Sequence, residues 1–207
     1  MPVDPIVLLA FIPASLALNL TPGADMMFCF GQGLRHGPRA ALAADAGIAL
    51  GGMVHVVLAG LGLGAAVAAA PWLFEAIRWL GVAYLLWLAW AALRAGPVAP
   101  AGVAPGKTHA FREALLVNLT NPKVILFVLA FVPQFVDPAR GGVLAQFLVF
   151  GAVLSLGGLV INGLVGVFAG GAGRRLARSL RFARILGYVS AGIFGALALR
   201  LAVMQRS

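Results

Sequence analysis

Two short stretches combine charged and helix-breaking residues inside otherwise apolar sequence. Residues 17–30 read ALNLTPGADMMFCF, and residues 115–128 read LLVNLTNPKVILFV. Asp25 lies three positions after the proline of the first stretch, and Lys123 directly follows the proline of the second. A carboxylate and an ammonium group that face each other in an apolar setting can hold the two ends of a zwitterion such as an amino acid. The competing interpretation is a purely structural Asp25–Lys123 ion pair, or a lysine that extends to the membrane surface.

The prolines predict that both helices are broken. Pro22 or Pro122 inside a helix would remove one hydrogen bond and clash with the preceding turn, at a cost of about 3 kcal/mol. A membrane tolerates the freed backbone groups only where protein buries them or a cavity solvates them. Asn and Thr before the proline can cap a restarted half-helix, whose positive end suits a carboxylate. The predicted substrate-binding residues are Asn19, Thr21, Pro22, Gly23, Asp25, Asn118, Asn121, Pro122 and Lys123.

The composition is that of an all-α polytopic membrane protein. Of the 207 residues, 62% are hydrophobic and 10% are charged, whereas soluble domains are about one quarter charged. Apolar stretches of about 20 residues recur along the chain, and the dyad alternation of an outer-membrane barrel is not seen. The net charge of +9 indicates cytoplasmic loops that contact anionic lipid rather than nucleic acid. Cys29 is the single cysteine, which excludes an internal disulfide, and no basic segment precedes the first apolar stretch, so a cleaved signal peptide is not expected.

Six membrane spans are predicted, and the basic residues between them set the orientation. The spans are 4–30, 40–69, 72–94, 111–136, 143–171 and 182–204. Basic residues cluster in the first, third and fifth loops. The first loop has Arg35 and Arg39, the third has Arg94, Lys107 and Arg112, and the fifth has Arg174, Arg175, Arg178, Arg181 and Arg184. The second and fourth loops hold only Arg78 and Arg140, each near an acid. The basic loops are therefore predicted to be cytoplasmic and both termini periplasmic; a five-span chain would instead place the N-terminus inside.

Short motifs in the first half of the chain recur in the second half. The recurring motifs are NLTP at 19–22 and NLTNP at 118–122, LGGMV at 50–54 and LGGLV at 156–160, and LG with ALR within 80–94 and again within 186–200. Three recurring motifs in the same order indicate an internal repeat. The first three-helix repeat is predicted at 1–94, a cytoplasmic linker at 95–110 and the second repeat at 111–207. Because three is odd, the second repeat enters the membrane with reversed polarity. Such a 3+3 inverted repeat, with first and fourth helices broken at Pro22 and Pro122, is the plan of many secondary transporters.

These motifs, together with GLRHGPRAAL, GIALGGMVH and FREALLVNLTNPKVILFVLAFVPQFV, are similar to the LysE/RhtB-type amino-acid exporter family over essentially the whole chain. The resemblance implies efflux of amino acids or related small molecules across the bacterial inner membrane in exchange for protons. Carried over by position, it implicates Pro22, Gly23, Asp25, His55, Asn118, Pro122 and Lys123.

Three residues are candidates for carrying the coupling proton: Asp25, Asp45 and His55. His55 lies near the middle of the second span, and the ordinary pKa of histidine is near neutrality; a packing role is equally compatible with its position. Asp45, in AADAG, falls where the family pattern has a small residue, which leaves its role open.

The sequence is less compatible with functions other than export. No metal-ligand cluster, nucleotide-binding loop or catalytic triad spacing is present in the sequence, so no metal or cofactor is predicted. The competing hypotheses are a permease for another small solute or a cation, and an integral-membrane enzyme. An enzyme would need several acids or a metal cluster near one interface, whereas the six acids of this chain are scattered singly. A purely structural subunit would not need matched helix breaks. A monomer and a homodimer are both compatible with the sequence.

Overall fold

The computed structural model describes residues 2–69, 72–96, 109–170, 175 and 179–203. Within these residues the chain is helical and has no β-strand. The helices are α1 Pro5–Leu20, α2 Ala24–His36, α3 Pro38–Ala69, α4 Trp72–Arg94, α5 Ala110–Leu119, α6 Pro122–Leu126, α7 Val143–Val167 and α8 Leu180–Val203. Most of the predicted linker, residues 97–108, lies outside the described residues, as do Arg174 and Arg178 of the fifth loop.

Both helices that were predicted to break at a proline do bend there. α1 and α2 meet at an angle of 54°, and α5 meets the segment Pro122–Phe135 at 50°. Three further helical stretches are long and apolar enough to cross a membrane, namely Pro38–Gly62, Val143–Val167 and Leu180–Leu199. By length and composition the described residues thus supply three candidate spans, or five if each bent pair is one span. A shorter apolar stretch, Trp79–Arg94 of α4, adds to these.

The helices differ from three of the predicted spans at one end. α2 continues past the predicted end at residue 30 to His36, where Gly37 ends it with a φ of 85°, a value that residues other than glycine rarely adopt. The fourth span is not a regular helix to residue 136, because a π-helical turn at Phe127–Phe131 and a 3-10 turn at Val132–Phe135 follow α6. Pro133 removes a backbone donor in that region. α7 ends at Val167, short of the predicted residue 171.

Glycines allow α3 and α7 to pack closely in antiparallel directions. A Cβ added to Gly151 would lie 2.5 Å from Cγ1 of Val56, and one added to Gly166 would lie 2.6 Å from Cβ of Ala41. The later residue of α7 meets the earlier residue of α3, so the two helices run in opposite directions. Small residues at membrane helix interfaces let backbones approach in this way. In addition α3 packs against α5, and α4 packs against α8.

An aromatic cluster fixes α1 against the second half of the chain. Phe11 of α1 is fully buried, and its ring centroid lies 4.9 Å from that of Phe150 on α7 and 5.1 Å from that of Phe135. Phe131 stacks on Phe11 at 6.4 Å. Aromatic pairs of this kind contribute about 0.5–1.5 kcal/mol each beyond their buried area. The cluster places the break of α1–α2 next to the break of α5–α6.

Candidate functional site

The first break separates α1 from α2. Thr21 ends α1, because its backbone N–H and its hydroxyl both donate to the carbonyl of Ala17, at 3.0 and 2.7 Å. Pro22 has no N–H with which to continue the helix, and Gly23, directly before α2, has no side chain to cap it. The prediction that Asn or Thr caps the restarted helix is therefore wrong here, because Thr21 bonds backwards into α1. The positive end of α2 is not covered by a capping side chain.

The second break has the predicted cap. Asn121 precedes α6, and its Oδ1 accepts a hydrogen bond from the backbone N–H of Lys123 at 3.0 Å. Pro122 occupies the first position of α6, where a missing N–H costs nothing. Thr120 ends α5 by donating its hydroxyl to the carbonyl of Leu116 at 2.8 Å. The two breaks therefore differ in their caps although their sequences are similar.

Lys123 extends from the second break to the first. Its Nζ donates to the carbonyl oxygens of Leu18 and Thr21, both at 2.8 Å. These carbonyls belong to the end of α1, where the negative end of the helix dipole favours a cation. Tyr84 of α4 donates its hydroxyl to the Lys123 carbonyl at 2.6 Å. Lys123 thus connects α6 to both α1 and α4.

Asp25 lies in the first turn of α2 and is 8% exposed. Its Oδ2 accepts a hydrogen bond from Nδ2 of Asn118 at 2.9 Å, while its Oδ1 is buried and has no hydrogen-bond partner. Among the ion pairs of the described residues, none joins Asp25 to Lys123. The direct ion pair that the sequence also allowed is therefore not formed. The two charges still flank one break, since a Cβ added to Gly23 would lie 3.2 Å from Nζ of Lys123.

The asparagines of the two NLT motifs contact the long helix of the opposite half. Asn118 lies against Gly51 of α3, where an added Cβ would come 2.6 Å from Asn118 Oδ1. Asn19 donates its Nδ2 to the carbonyl of Leu154 on α7 at 3.0 Å, and a Cβ added to Gly157 would lie 2.9 Å from the same atom. Each repeated Asn thus meets a repeated Gly-Gly pair. The shared order of the two motifs in both halves is the sequence signal for this contact.

His55 and Asp45 lie in different surroundings. The Nε2 of His55 is 3.2 Å from the carbonyl oxygen of Asn118, which places this half-buried ring at the second break. Asp45 is 1% exposed, and both of its carboxyl oxygens are buried without a hydrogen-bond partner. It packs against Gly163 of α7, where an added Cβ would lie 2.8 Å from Oδ2. The structure therefore brings His55, but not Asp45, into the hydrogen-bonded network of the two breaks.

Sequence reasoning missed two polar residues. Tyr84 supports the backbone of Lys123, and Gln32 of α2 is fully buried with both side-chain polar atoms unpartnered. A polar side chain in an apolar helix is itself a signal, since such residues face the protein interior rather than lipid. Among the residues that the structure describes, no group of three His, Cys, Asp or Glu side chains could hold a metal ion.

Three unpartnered polar atoms remain around the two breaks. Asp25 Oδ1 and Asn118 Oδ1 are buried acceptors, and Asn121 Nδ2 is a buried donor. Buried polar groups are normally hydrogen-bonded, so such atoms indicate where a ligand or water binds. These three atoms can accordingly bind hydrogen-bonding groups of a small molecule.

Comparisons with known proteins cover most of the chain. The family model described as LysE type translocator matches residues 16–205. An uncharacterized membrane protein of Vibrio cholerae is 35% identical over 182 residues, which is 86% of each chain. A homoserine/homoserine lactone efflux protein of Salmonella typhimurium is 36% identical over 73% of this chain and 75% of its own. A leucine efflux protein of an Enterobacter species is 32% identical over 70% of this chain and 71% of its own. No solved structure matches the chain.

Proposed function

Because the chain belongs to the LysE type translocator family, we propose that it exports amino acids or closely related small molecules across the bacterial inner membrane. Relatives named for homoserine and leucine efflux support an amino-acid substrate. The long apolar helices support a multi-pass membrane protein. A family of translocators also favours a secondary transporter over an integral-membrane enzyme.

The observation that carries this proposal is that buried acceptors without partners and the ammonium of Lys123 lie at the same pair of helix breaks. The substrate ammonium binds the free acceptors, Asp25 Oδ1 and Asn118 Oδ1. The substrate carboxylate binds the ammonium of Lys123, whose Nζ lies beside Gly23 in the same gap. Charge-assisted hydrogen bonds of this type are about twice as strong as neutral ones. The proposed site is therefore acidic at one end and basic at the other.

Lys123 can bind the substrate carboxylate without leaving its place. A lysine ammonium has three N–H donors, and two of these are used by the carbonyls of Leu18 and Thr21. The third donor is available to a carboxylate in the gap between the half-helices. The positive ends of α2 and α6 begin at the same gap and favour an anion there. The two carbonyls hold the lysine in position before substrate arrives, which lowers the entropy cost of binding.

We extend the proposal to six spans arranged as an inverted repeat, in which the second half corresponds to the first. The similar bends of 54° and 50° support this arrangement. Equivalent helices of the two halves also pack on each other, α3 on α7 and α4 on α8. The similar Asn–Gly contacts of Asn19 and Asn118 support the same arrangement. Rocking one repeat against the other would open the central gap to either side in turn.

The proposed orientation has both termini in the periplasm. Cysteines introduced near Arg39 should be labelled only from the cytoplasmic side, and cysteines near Arg140 only from outside. An N-terminal tag that is reachable only from the cytoplasm would contradict this orientation and the six-span arrangement.

Exchange with protons supplies the driving force in this proposal, since the proton gradient across a bacterial inner membrane favours proton entry. Substrate then leaves the cell as a proton enters. The candidates to carry that proton are Asp25, Asp45 and His55.

Counterflow in proteoliposomes tests the function. The purified protein is reconstituted with unlabelled homoserine or leucine inside, and labelled amino acid is added outside. We expect label to accumulate transiently in wild-type vesicles and not in vesicles that contain the Asp25→Asn variant. If neither these two nor any other amino acid exchanges, while the protein is folded and inserted, the proposed function is wrong.

A further inference from the structure

We infer that the end of α1 forms a binding site for a monovalent cation, and that the ammonium of Lys123 occupies this site permanently. The functional part of the inference rests on the proposed amino-acid site, in which the same ammonium contacts the substrate carboxylate. It extends that function in one respect. Substrate binding needs no free sodium or potassium ion, because the protein carries the cation on one of its own side chains.

Pro22 creates the site by leaving a helix carbonyl without its usual donor. In a continuous α-helix the carbonyl of Leu18 would accept a hydrogen bond from the backbone N–H four residues later. Residue 22 is a proline and has no N–H. The carbonyl of Thr21 lies in the break itself, directly after the last residue of α1. Both oxygens are at the negative end of the α1 dipole, so the break presents two backbone acceptors to a cation.

The ammonium of Lys123 fills the place between these acceptors. Its Nζ lies 2.8 Å from the carbonyl oxygen of Leu18 and 2.8 Å from that of Thr21. In many secondary transporters, backbone carbonyls at the ends of broken membrane helices bind the coupling Na⁺. An ammonium group binds the same kind of oxygen by donating hydrogen bonds. Gly23 keeps the place open, since a Cβ there would lie 3.2 Å from Nζ.

The backbone of Lys123 is fixed on its own side of the gap. Its N–H donates to Oδ1 of Asn121 at 3.0 Å, and its carbonyl accepts from the hydroxyl of Tyr84 at 2.6 Å. In the described part of the chain no ion pair joins Asp25 to Lys123, so the ammonium is held by the two carbonyls of the first break. A cation on such a tether has a high effective concentration at its site.

The second break does not offer the corresponding acceptor. The carbonyl four residues before Pro122 belongs to Asn118, and it accepts a hydrogen bond from the backbone N–H of Asn121 at 2.9 Å. The carbonyl four residues before Pro22 instead accepts from Lys123. The difference follows from the sequence, because the second motif has one more residue, Asn121, between its threonine and its proline. The cation site therefore belongs to the first break.

The variant Lys123→Ala tests whether the carbonyls form a cation site. It removes the side chain beyond Cβ, and propylammonium has the size of the removed part. The melting temperature of the purified variant is measured in detergent without amino acid, in the chloride salts of propylammonium, sodium or N-methylglucamine at equal ionic strength. We expect propylammonium or sodium to raise it by several degrees over N-methylglucamine, which is too large for the space, because a ligand of the folded state stabilises that state.

Lys123→Gln is the matched control. Its neutral amide fills most of the same space and can donate to a carbonyl, so this variant should melt at the same temperature in all three salts, as should wild type. Lys123→Ser gives the same readout as Lys123→Ala if the latter does not fold. The inference would be overturned if neither cation stabilises the shortened variant, or if Lys123→Gln is stabilised to the same degree.

Substrate affinity in the same salts is the functional readout. Wild-type protein should bind the amino acid that shows counterflow equally well in sodium, potassium and N-methylglucamine chloride. Lys123→Ala should bind it at least about tenfold more tightly in propylammonium than in N-methylglucamine, since the added cation replaces the lost partner of the carboxylate.

The two proposals fail in different ways. Wild-type binding that requires sodium would overturn the inference, because the tethered ammonium would then not replace a free cation. Absence of any amino-acid binding by wild type would overturn the proposed function. Cation-dependent melting of Lys123→Ala would in that case still establish the site at the end of α1.

Discussion

The two helix breaks have nearly the same sequence up to the proline, but the side chains that follow the proline differ in charge. After Pro22 the chain has Gly23 and then Asp25, whereas after Pro122 it has Lys123 and then Ile125 at the position that corresponds to Asp25. The first break thus supplies an acid and an uncapped helix start, and the second supplies a base and a capping asparagine.

The missing side chain at Gly23 shows how the two breaks fit together. Lys123 fills the space beside Gly23 and reaches the carbonyls of the first break. A repeat that had kept the same residue in both halves would offer two similar ends. The divergence places an acid on one side of the gap and a base on the other, which is the arrangement that the proposed binding of a zwitterion requires.

Removing either charge should have the largest effect. We expect Asp25→Asn or Lys123→Gln to weaken apparent amino-acid affinity by about 30-fold or more, which corresponds to about 2 kcal/mol for truncating one partner of a buried charged contact. Ile125→Val changes the position equivalent to Asp25 and should leave affinity near that of wild type. Counterflow as a function of substrate concentration, normalised to membrane abundance, measures the difference. Equal losses of affinity in Asp25→Asn and Ile125→Val would contradict the proposal that the two breaks bind different ends of the substrate.

Gly51→Ala and Gly157→Ala compare the two Asn–Gly contacts. Each added methyl would press on an asparagine, at 2.6 Å from Asn118 or 2.9 Å from Asn19, and overpacking of this kind costs about 1–3 kcal/mol. Both variants should therefore melt at lower temperature in detergent. Only Gly51→Ala should also weaken substrate affinity, because Asn118 holds Asp25 while Asn19 holds a backbone carbonyl.

The neighbouring glycines are the controls for that comparison. A Cβ added to Gly52 would have its nearest contact at 3.5 Å, so Gly52→Ala should melt close to wild type. Loss of affinity in Gly157→Ala to the same degree as in Gly51→Ala would contradict the separate roles of the two asparagines.

Gly23→Ala should have a moderate effect. Its Cβ would lie 3.2 Å from Nζ of Lys123, and the flexible end of the lysine can shift by a few tenths of an ångström. We expect apparent affinity to fall about fivefold, equivalent to about 1 kcal/mol, with little change in melting temperature. Gly62→Ala, which meets nothing within 4 Å, is the control. An unchanged affinity in Gly23→Ala would show that the lysine position does not determine binding.

Tyr84→Phe should have the smallest effect. It removes the hydrogen bond from the hydroxyl to the Lys123 carbonyl at 2.6 Å, which is worth about 1 kcal/mol of stability. A melting temperature lower by a few degrees, with affinity nearly unchanged, is expected. Tyr188→Phe, whose ring is 67% exposed, should melt like wild type; a similar drop there would mean that the Tyr84 hydroxyl contributes nothing specific.

The sequence predicts the breaks well because a proline, an asparagine or a charged residue destabilises an apolar helix. Pro22 and Pro122 therefore mark the bends, and Asp25 and Lys123 mark a polar gap. The partner of Lys123 is not predictable in the same way. The carbonyls of Leu18 and Thr21 become acceptors only because α1 ends there, and a backbone carbonyl has no signature in the sequence.

Packing details also depend on how helices cross. The contacts of Asn19 with Gly157 and of Asn118 with Gly51 follow from the antiparallel approach of elements distant in sequence. The irregular turns after Leu126 contain Pro133 and three rings of the aromatic cluster, Phe127, Phe131 and Phe135. Composition and spacing identify the residues in such contacts but not which residue each one meets.

The most direct test of a zwitterion site is the double variant Asp25→Asn with Lys123→Gln. It removes both charges from the gap, so neither is left there without its counter-charge, and it should insert and fold better than either single variant. Efflux and membrane abundance are measured together for the two single variants and the double. If the charges bind the two ends of the substrate, the double variant is abundant and exports nothing. Normal export by the double variant would contradict the account and leave Asp25 and Lys123 as charges that only balance each other.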